Sequence, residues 1–61
     1  MPKIEEVVEA GNWFEKQLRE LGVDEETIAT RCHLLGQLCA IMPETPMKIA
    51  EGYLKQFKKP N

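Results

Sequence analysis

The chain has 61 residues, of which 43% are apolar and 30% charged, and its net charge is −2 at pH 7. This composition is typical of one small globular domain, predicted over residues 1–61, and not of a disordered segment; its length is near the lower limit for a self-sufficient core. The acidic balance argues against a general nucleic-acid binder, because such binding depends on neutralising phosphates.

The first predicted helix spans about residues 3–21. Pro2 suits the first position of a helix, and acidic residues follow at the positive end of the helix dipole. Gly11 and Asn12 interrupt the good helix formers, so a break there is the alternative. The apolar residues keep one phase across them, which favours a continuous helix. This predicted stripe consists of Ile4, Val7, Gly11, Phe14, Leu18 and Leu21.

A short connection then predicts an antiparallel helical hairpin. Gly22 suits the left-handed conformation that ends a helix, and Asp24 is a strong N-cap for the helix that follows. The second helix is predicted over about 25–41 and is stopped by Pro43. So short a connection leaves two consecutive helices side by side and antiparallel.

The third predicted helix is shorter and amphipathic, and runs over about 46–58. Thr45 is expected to cap it, with Pro46 at its first position. Pro60 and Asn61 are expected to fray. The predicted fold class is therefore all-α, a three-helix domain that packs as a homodimeric helical bundle.

The only two cysteines and the only histidine lie close together, as Cys32, His33 and Cys39. In a helix the two cysteines are separated by about 10.5 Å along the axis, too far for an intramolecular disulfide or a shared ion, and His33 points about 100° away from Cys32. The cysteines fit a core seam instead, and an intersubunit disulfide or a metal shared across a dimer are the alternatives. No metal and no cofactor are expected. The seam consists of Ile28, Cys32, Leu35, Cys39 and Met42.

The second helix is apolar around most of its circumference. This apolar surface is larger than the part that two neighbouring helices can cover. A contiguous apolar surplus on a short chain favours self-association, most simply as a twofold dimer, over a compact monomer with exposed leucines. A mid-helix glycine there is explained by close approach of another backbone. The predicted self-association surface consists of Leu34, Leu38, Ile41, Gly36 and Met42.

Trp13 falls opposite the apolar stripe of the first helix, and two placements fit it. Either it is an exposed binding anchor with an acidic rim, suited to a partner protein with a basic surface, or the helix bends at Gly11 and turns it towards the third helix. The candidate partner surface consists of Trp13, Glu6, Glu9, Gln17 and Glu20.

The function predicted from these features is a non-enzymatic protein–protein interaction module. There is no serine and no nucleotide-binding, metalloprotease or CxxC motif, and no motif assigns a family. The alternative is a DNA-binding regulator whose basic third helix contacts phosphates, although that helix has no arginine for base readout. Those contacts are Lys48, Lys55, Lys58 and Lys59.

The chain is expected to work in the cytoplasm, without a membrane as partner. No signal peptide or apolar run long enough for a membrane span is visible.

Overall fold

The structure, a computed structural model, describes residues 3–58. Over that range the chain forms three helices and no strand, with α1 at Ile4–Glu20, α2 at Glu25–Ile41 and α3 at Pro46–Leu54. The predicted all-helical architecture is confirmed. The predictions for Pro2, Lys59, Pro60 and Asn61 lie outside the described residues.

The α1 helix is continuous through Gly11 and Asn12, as the phase of its apolar residues predicts. It ends in a Schellman motif, in which the Gly22 N–H donates to the Arg19 carbonyl and the Val23 N–H to the Leu18 carbonyl, both at 3.0 Å. Gly22 has φ +82°, the left-handed conformation predicted for it.

The closed end of the hairpin is held by hydrogen bonds on both sides of this turn. Asp24 caps α2, because its Oδ2 accepts from the Thr27 N–H at 3.1 Å and its Oδ1 from the Thr27 hydroxyl at 2.7 Å. Arg19 donates from Nε and Nη2 to both carboxylate oxygens of Glu25, at 2.9 and 2.7 Å, and also to Glu15. These bonds lower the pKa of Asp24, through Thr27, and that of Glu25, through Arg19.

The third helix is shorter than predicted, and its cap differs. It ends at Leu54 rather than near residue 58, because the Gln56 and Phe57 N–H groups bond three residues back, to Tyr53 and Leu54, at 3.1 and 2.9 Å. Thr45 stands at the N-cap position, but its side chain makes no capping hydrogen bond. The ring of Pro46 already fixes the backbone of the first helical residue, so the helix starts without a hydrogen bond from the Thr45 side chain.

All three helices contribute to one core. Ten buried residues form it: Ala10, Phe14, Leu18, Ile28, Leu35, Cys39, Ile49, Ala50, Tyr53 and Leu54. At its centre the Phe14 ring stacks on Tyr53, with centroids 5.3 Å apart, and meets Phe57 edge-on at 6.2 Å. Arg31 of α2 donates to the Tyr53 hydroxyl at 3.2 Å and lies over the Phe57 ring at 5.5 Å. The residues just after α3 are therefore held against α2.

None of the helices within residues 3–58 combines the length and the hydrophobicity that crossing a lipid bilayer requires.

Candidate docking surface

Three exposed apolar side chains lie at the open end of the hairpin, where the start of α1 meets the end of α2. Ile4, Val8 and Ile41 are 81%, 54% and 77% exposed there. They border an open groove of about 610 Å³, which we call the hairpin groove. Among residues 3–58, no charged side chain lines it. Its lining residues are Ile4, Val7, Val8, Gly36, Cys39, Ala40, Ile41, Met42 and Pro43.

The buried residues of α1 differ from the predicted stripe at Gly11 and at both ends of the helix. Ala10 takes the place in the core predicted for Gly11, and a Cβ on Gly11 would meet no atom within 4 Å. Ile4 and Leu21, at the two ends of the predicted stripe, are exposed. The core of α1 therefore lies between these ends, and the apolar start of the helix is left uncovered.

The structure does not place the predicted self-association residues on one surface, and Met42 lines both the hairpin groove and the depression that contains Leu38. Ile41, Gly36 and Met42 line the hairpin groove. Leu34 and Leu38 are half-buried and pack against the core, and Leu38 also lines a depression between α2 and α3. The surplus predicted for α2 is thus partly covered by α3.

Sequence reasoning missed the contribution of α1 to this surface. Ile4 and Val8 are four residues apart, so they share one face of α1. In an antiparallel hairpin that turns at residues 21–24, the beginning of α1 lies beside the end of α2, where Ile41 is. The four-residue spacing of Ile4 and Val8, taken together with the position of the turn, predicts that these two side chains and Ile41 lie on one surface.

Gly36 has no neighbour that requires glycine within the protomer. A Cβ on Gly36 would meet no atom within 4 Å. The room above it belongs to the hairpin groove, so the backbone of α2 is accessible to a second molecule at this point.

Trp13 is half-buried against the core and lies beside α3 and the turn that follows it. It lines a depression with Glu51, Leu54, Lys55 and Lys58. Because α1 is continuous, Trp13 reaches this position without the bend at Gly11 that sequence reasoning required.

The acidic residues predicted to surround Trp13 do not line the same depression. Glu6 and Glu9 line another one, beside Thr45, Pro46 and Met47. Gln17 is half-buried and Glu20 is exposed. The charge bordering Trp13 in its own depression is mixed, with Lys55 and Lys58 beside Glu51.

The lysines of the nucleic-acid alternative fall into separate places as well. Lys48, Lys55 and Lys58 are all exposed. Lys48 lines the depression that contains Leu38, whereas Lys55 and Lys58 line the one that contains Trp13. Lys59 lies outside the described residues.

The cysteines and the histidine do not come together. Cys39 is 1% exposed in the core, Cys32 is half-buried, and His33 is exposed. Burial raises the pKa of both thiols, which disfavours the reactive thiolate. Within residues 3–58 no three His, Cys, Asp or Glu side chains are placed to hold a metal ion.

Comparison with protein-family models, with curated proteins and with solved structures gives no match to this chain.

Proposed function

We propose that this chain is a small helical interaction module without catalytic activity, which acts by docking to protein surfaces and forms a homodimer. One observation supports this most strongly: three large apolar side chains, each more than half exposed, border a groove that no charged side chain of the described residues lines. Exposed apolar surface that is contiguous in this way is typical of binding sites.

The size of this surface suits reversible docking. Fully burying one valine or isoleucine contributes about 1.5–3 kcal/mol, so the exposed parts of Ile4, Val8 and Ile41 would contribute on the order of 3–6 kcal/mol. Association itself costs on the order of 4–15 kcal/mol. In a homodimer both copies contribute, so the free energy gained by burial becomes similar in size to the free-energy cost of association.

The chemistry of the groove supports binding rather than catalysis. Within the described part of the chain, the only titratable side chain in its lining is Cys39, which is 1% exposed and has a raised pKa. A protonated, buried thiol is a small hydrophobic group in a wall that a partner covers.

Sedimentation velocity over a wide range of protein concentrations tests the proposed homodimer. The mass is expected to rise from 7.0 kDa towards twice that value as the concentration increases. Affinity capture from a cell extract, with Ile41→Lys as the matched control, then identifies any other protein that uses the same surface. Two results together would contradict the proposed function. They are a 7.0 kDa species at every concentration, and capture of the same proteins in equal amounts by the wild type and by Ile41→Lys.

A further inference from the structure

We propose that the turn at residues 55–58, which we call the aromatic cover, opens as a unit while the three helices stay folded, and that Arg31 of α2 holds it closed through the Phe57 ring. None of the four residues of the cover lines the hairpin groove. This inference therefore goes beyond the proposed docking function and does not depend on a homodimer.

A single side chain attaches the aromatic cover to the rest of the protein. Lys55, Gln56 and Lys58 are exposed, and only Phe57 is half-buried. The backbone N–H groups of residues 56–58 bond three residues back, at 3.1, 2.9 and 3.3 Å, so these bonds join the cover only to itself and to the end of α3. A segment with so few buried contacts opens at a lower free energy than the whole domain. Release of one ring is therefore enough to release the turn.

The Phe57 ring packs against groups from all three helices. It meets the rings of Phe14 and Tyr53 edge-on, with centroids 6.2 and 6.1 Å away. Cζ of Arg31 lies over its face, 5.5 Å from the centroid. A guanidinium in this position is attracted by the negative face of the ring, so Arg31 stabilises the closed form.

The Tyr53 hydroxyl keeps Arg31 in place whether the cover is closed or open. It accepts a hydrogen bond from Arg31 at 3.2 Å. Tyr53 belongs to α3 and is 8% exposed, so it does not move with the cover. Arg31 therefore acts directly on the Phe57 ring, whereas the Tyr53 hydroxyl is a positioning group for Arg31.

Opening the aromatic cover changes the surface at this end of the molecule. The Phe14 and Tyr53 rings, 0% and 8% exposed, lose the ring that packs against both. Lys55 and Lys58, which line the depression of Trp13, move away from it. The open form thus offers a more aromatic and less basic surface, and a molecule that binds this surface more tightly shifts the chain towards it.

Hydrogen exchange of the full-length wild type, followed by NMR at several urea concentrations below the unfolding transition, tests whether the cover opens alone. The exchange rate of the Phe57 amide should not depend on urea, because local opening exposes little surface. The amide of Leu35, which is 1% exposed in α2, should exchange faster as urea is added, because it requires global unfolding. The same urea dependence for both amides would overturn the proposal.

Three variants test the role of Arg31. Arg31→Gln should speed exchange of the Phe57 amide by about two- to thirtyfold, which is the change expected for the loss of one cation–π contact. Tyr53→Phe keeps the ring and removes only the hydroxyl, so it should give a smaller increase. The matched control is Lys16→Gln, which removes a positive charge from an exposed position on α1 and should leave the rate unchanged.

An unchanged Phe57 rate in Arg31→Gln, or an equal increase in Lys16→Gln, would overturn the role of Arg31. Circular dichroism checks that the helices of each variant are intact. The wild-type measurement tests local opening even where a variant fails to fold.

Discussion

Phe14 is the residue through which α1 meets the aromatic side chains of α3 and of the turn behind it. It is fully buried, stacked on Tyr53 at 5.3 Å and edge-on to Phe57 at 6.2 Å. Phe14→Leu removes both ring contacts while keeping an apolar side chain in the core. The substitution therefore measures how strongly these contacts hold α3 to the hairpin.

The expected loss of stability follows from these contacts. Each aromatic pair contributes about 0.5–1.5 kcal/mol beyond its buried area, so two pairs contribute about 1–3 kcal/mol. The smaller side chain also leaves a cavity, at about 24 cal/mol for each Å³ that does not collapse. We expect the free energy of unfolding to fall by about 2–3 kcal/mol, out of roughly 3–9 kcal/mol for a domain of this length.

Urea denaturation at one fixed protein concentration measures this loss. Circular dichroism follows the helices, and the fluorescence of Trp13 follows its packing beside α3. Leu21→Ala, at an exposed position, is the control and should change the free energy of unfolding by less than about 0.5 kcal/mol. A loss below about 1 kcal/mol for Phe14→Leu, or strict additivity with Tyr53→Leu, would refute the importance of the ring contacts.

Three further predictions concern the helices, pH and the thiols. Gly52→Ala should raise the free energy of unfolding by about 0.5–1 kcal/mol, because the added Cβ meets no atom within 4 Å inside α3; a lower melting temperature would contradict this. The contributions of Asp24 and Glu25 to stability should be present above their ordinary pKa values of 3.8 and 4.5 and should be lost as pH falls through their lower folded-state values. Urea midpoints measured across this range check it, and Glu25→Gln should show a weaker dependence. A disulfide reagent should modify the half-buried Cys32 before the buried Cys39, and equal rates in the native state would count against the packing of α2.

The hairpin is predictable from sequence because its signals are local. Gly22 and Asp24 each act within a few residues, through a left-handed backbone and a side-chain cap. The predicted limits of α2 agree with the structure, and those of α1 differ by one residue at each end.

The end of α3 was not predictable in this way because tertiary contacts determine it. Phe57 continues the apolar periodicity of α3, so the pattern extends the helix past Leu54. In the structure Phe57 is held outside the helix, by the Phe14 and Tyr53 rings and by the Arg31 guanidinium from another helix. The apolar periodicity of one segment carries no information about such tertiary contacts.

The exposed apolar residues that border the hairpin groove were identified from the sequence only in part, for a similar reason. A helical wheel finds the apolar side chains of one helix, but exposure depends on which neighbour lies over them. Leu38 is partly covered because α3 packs on that side of α2, whereas Ile4 is 81% exposed at the beginning of α1. Ile41 was identified because the helical wheel places it on the side of α2 that the neighbouring helices leave exposed.

The position of the hairpin groove at the start of α1 has a consequence for any fusion of this chain. Ile4 is both the first residue of α1 and part of the groove lining. A polypeptide attached ahead of it is tethered at the border of the groove, where its effective concentration is high and it competes with any docking molecule. Lys58, the last described residue, lines the depression of Trp13 and not the groove, so a tag attached beyond it is not tethered at the groove border.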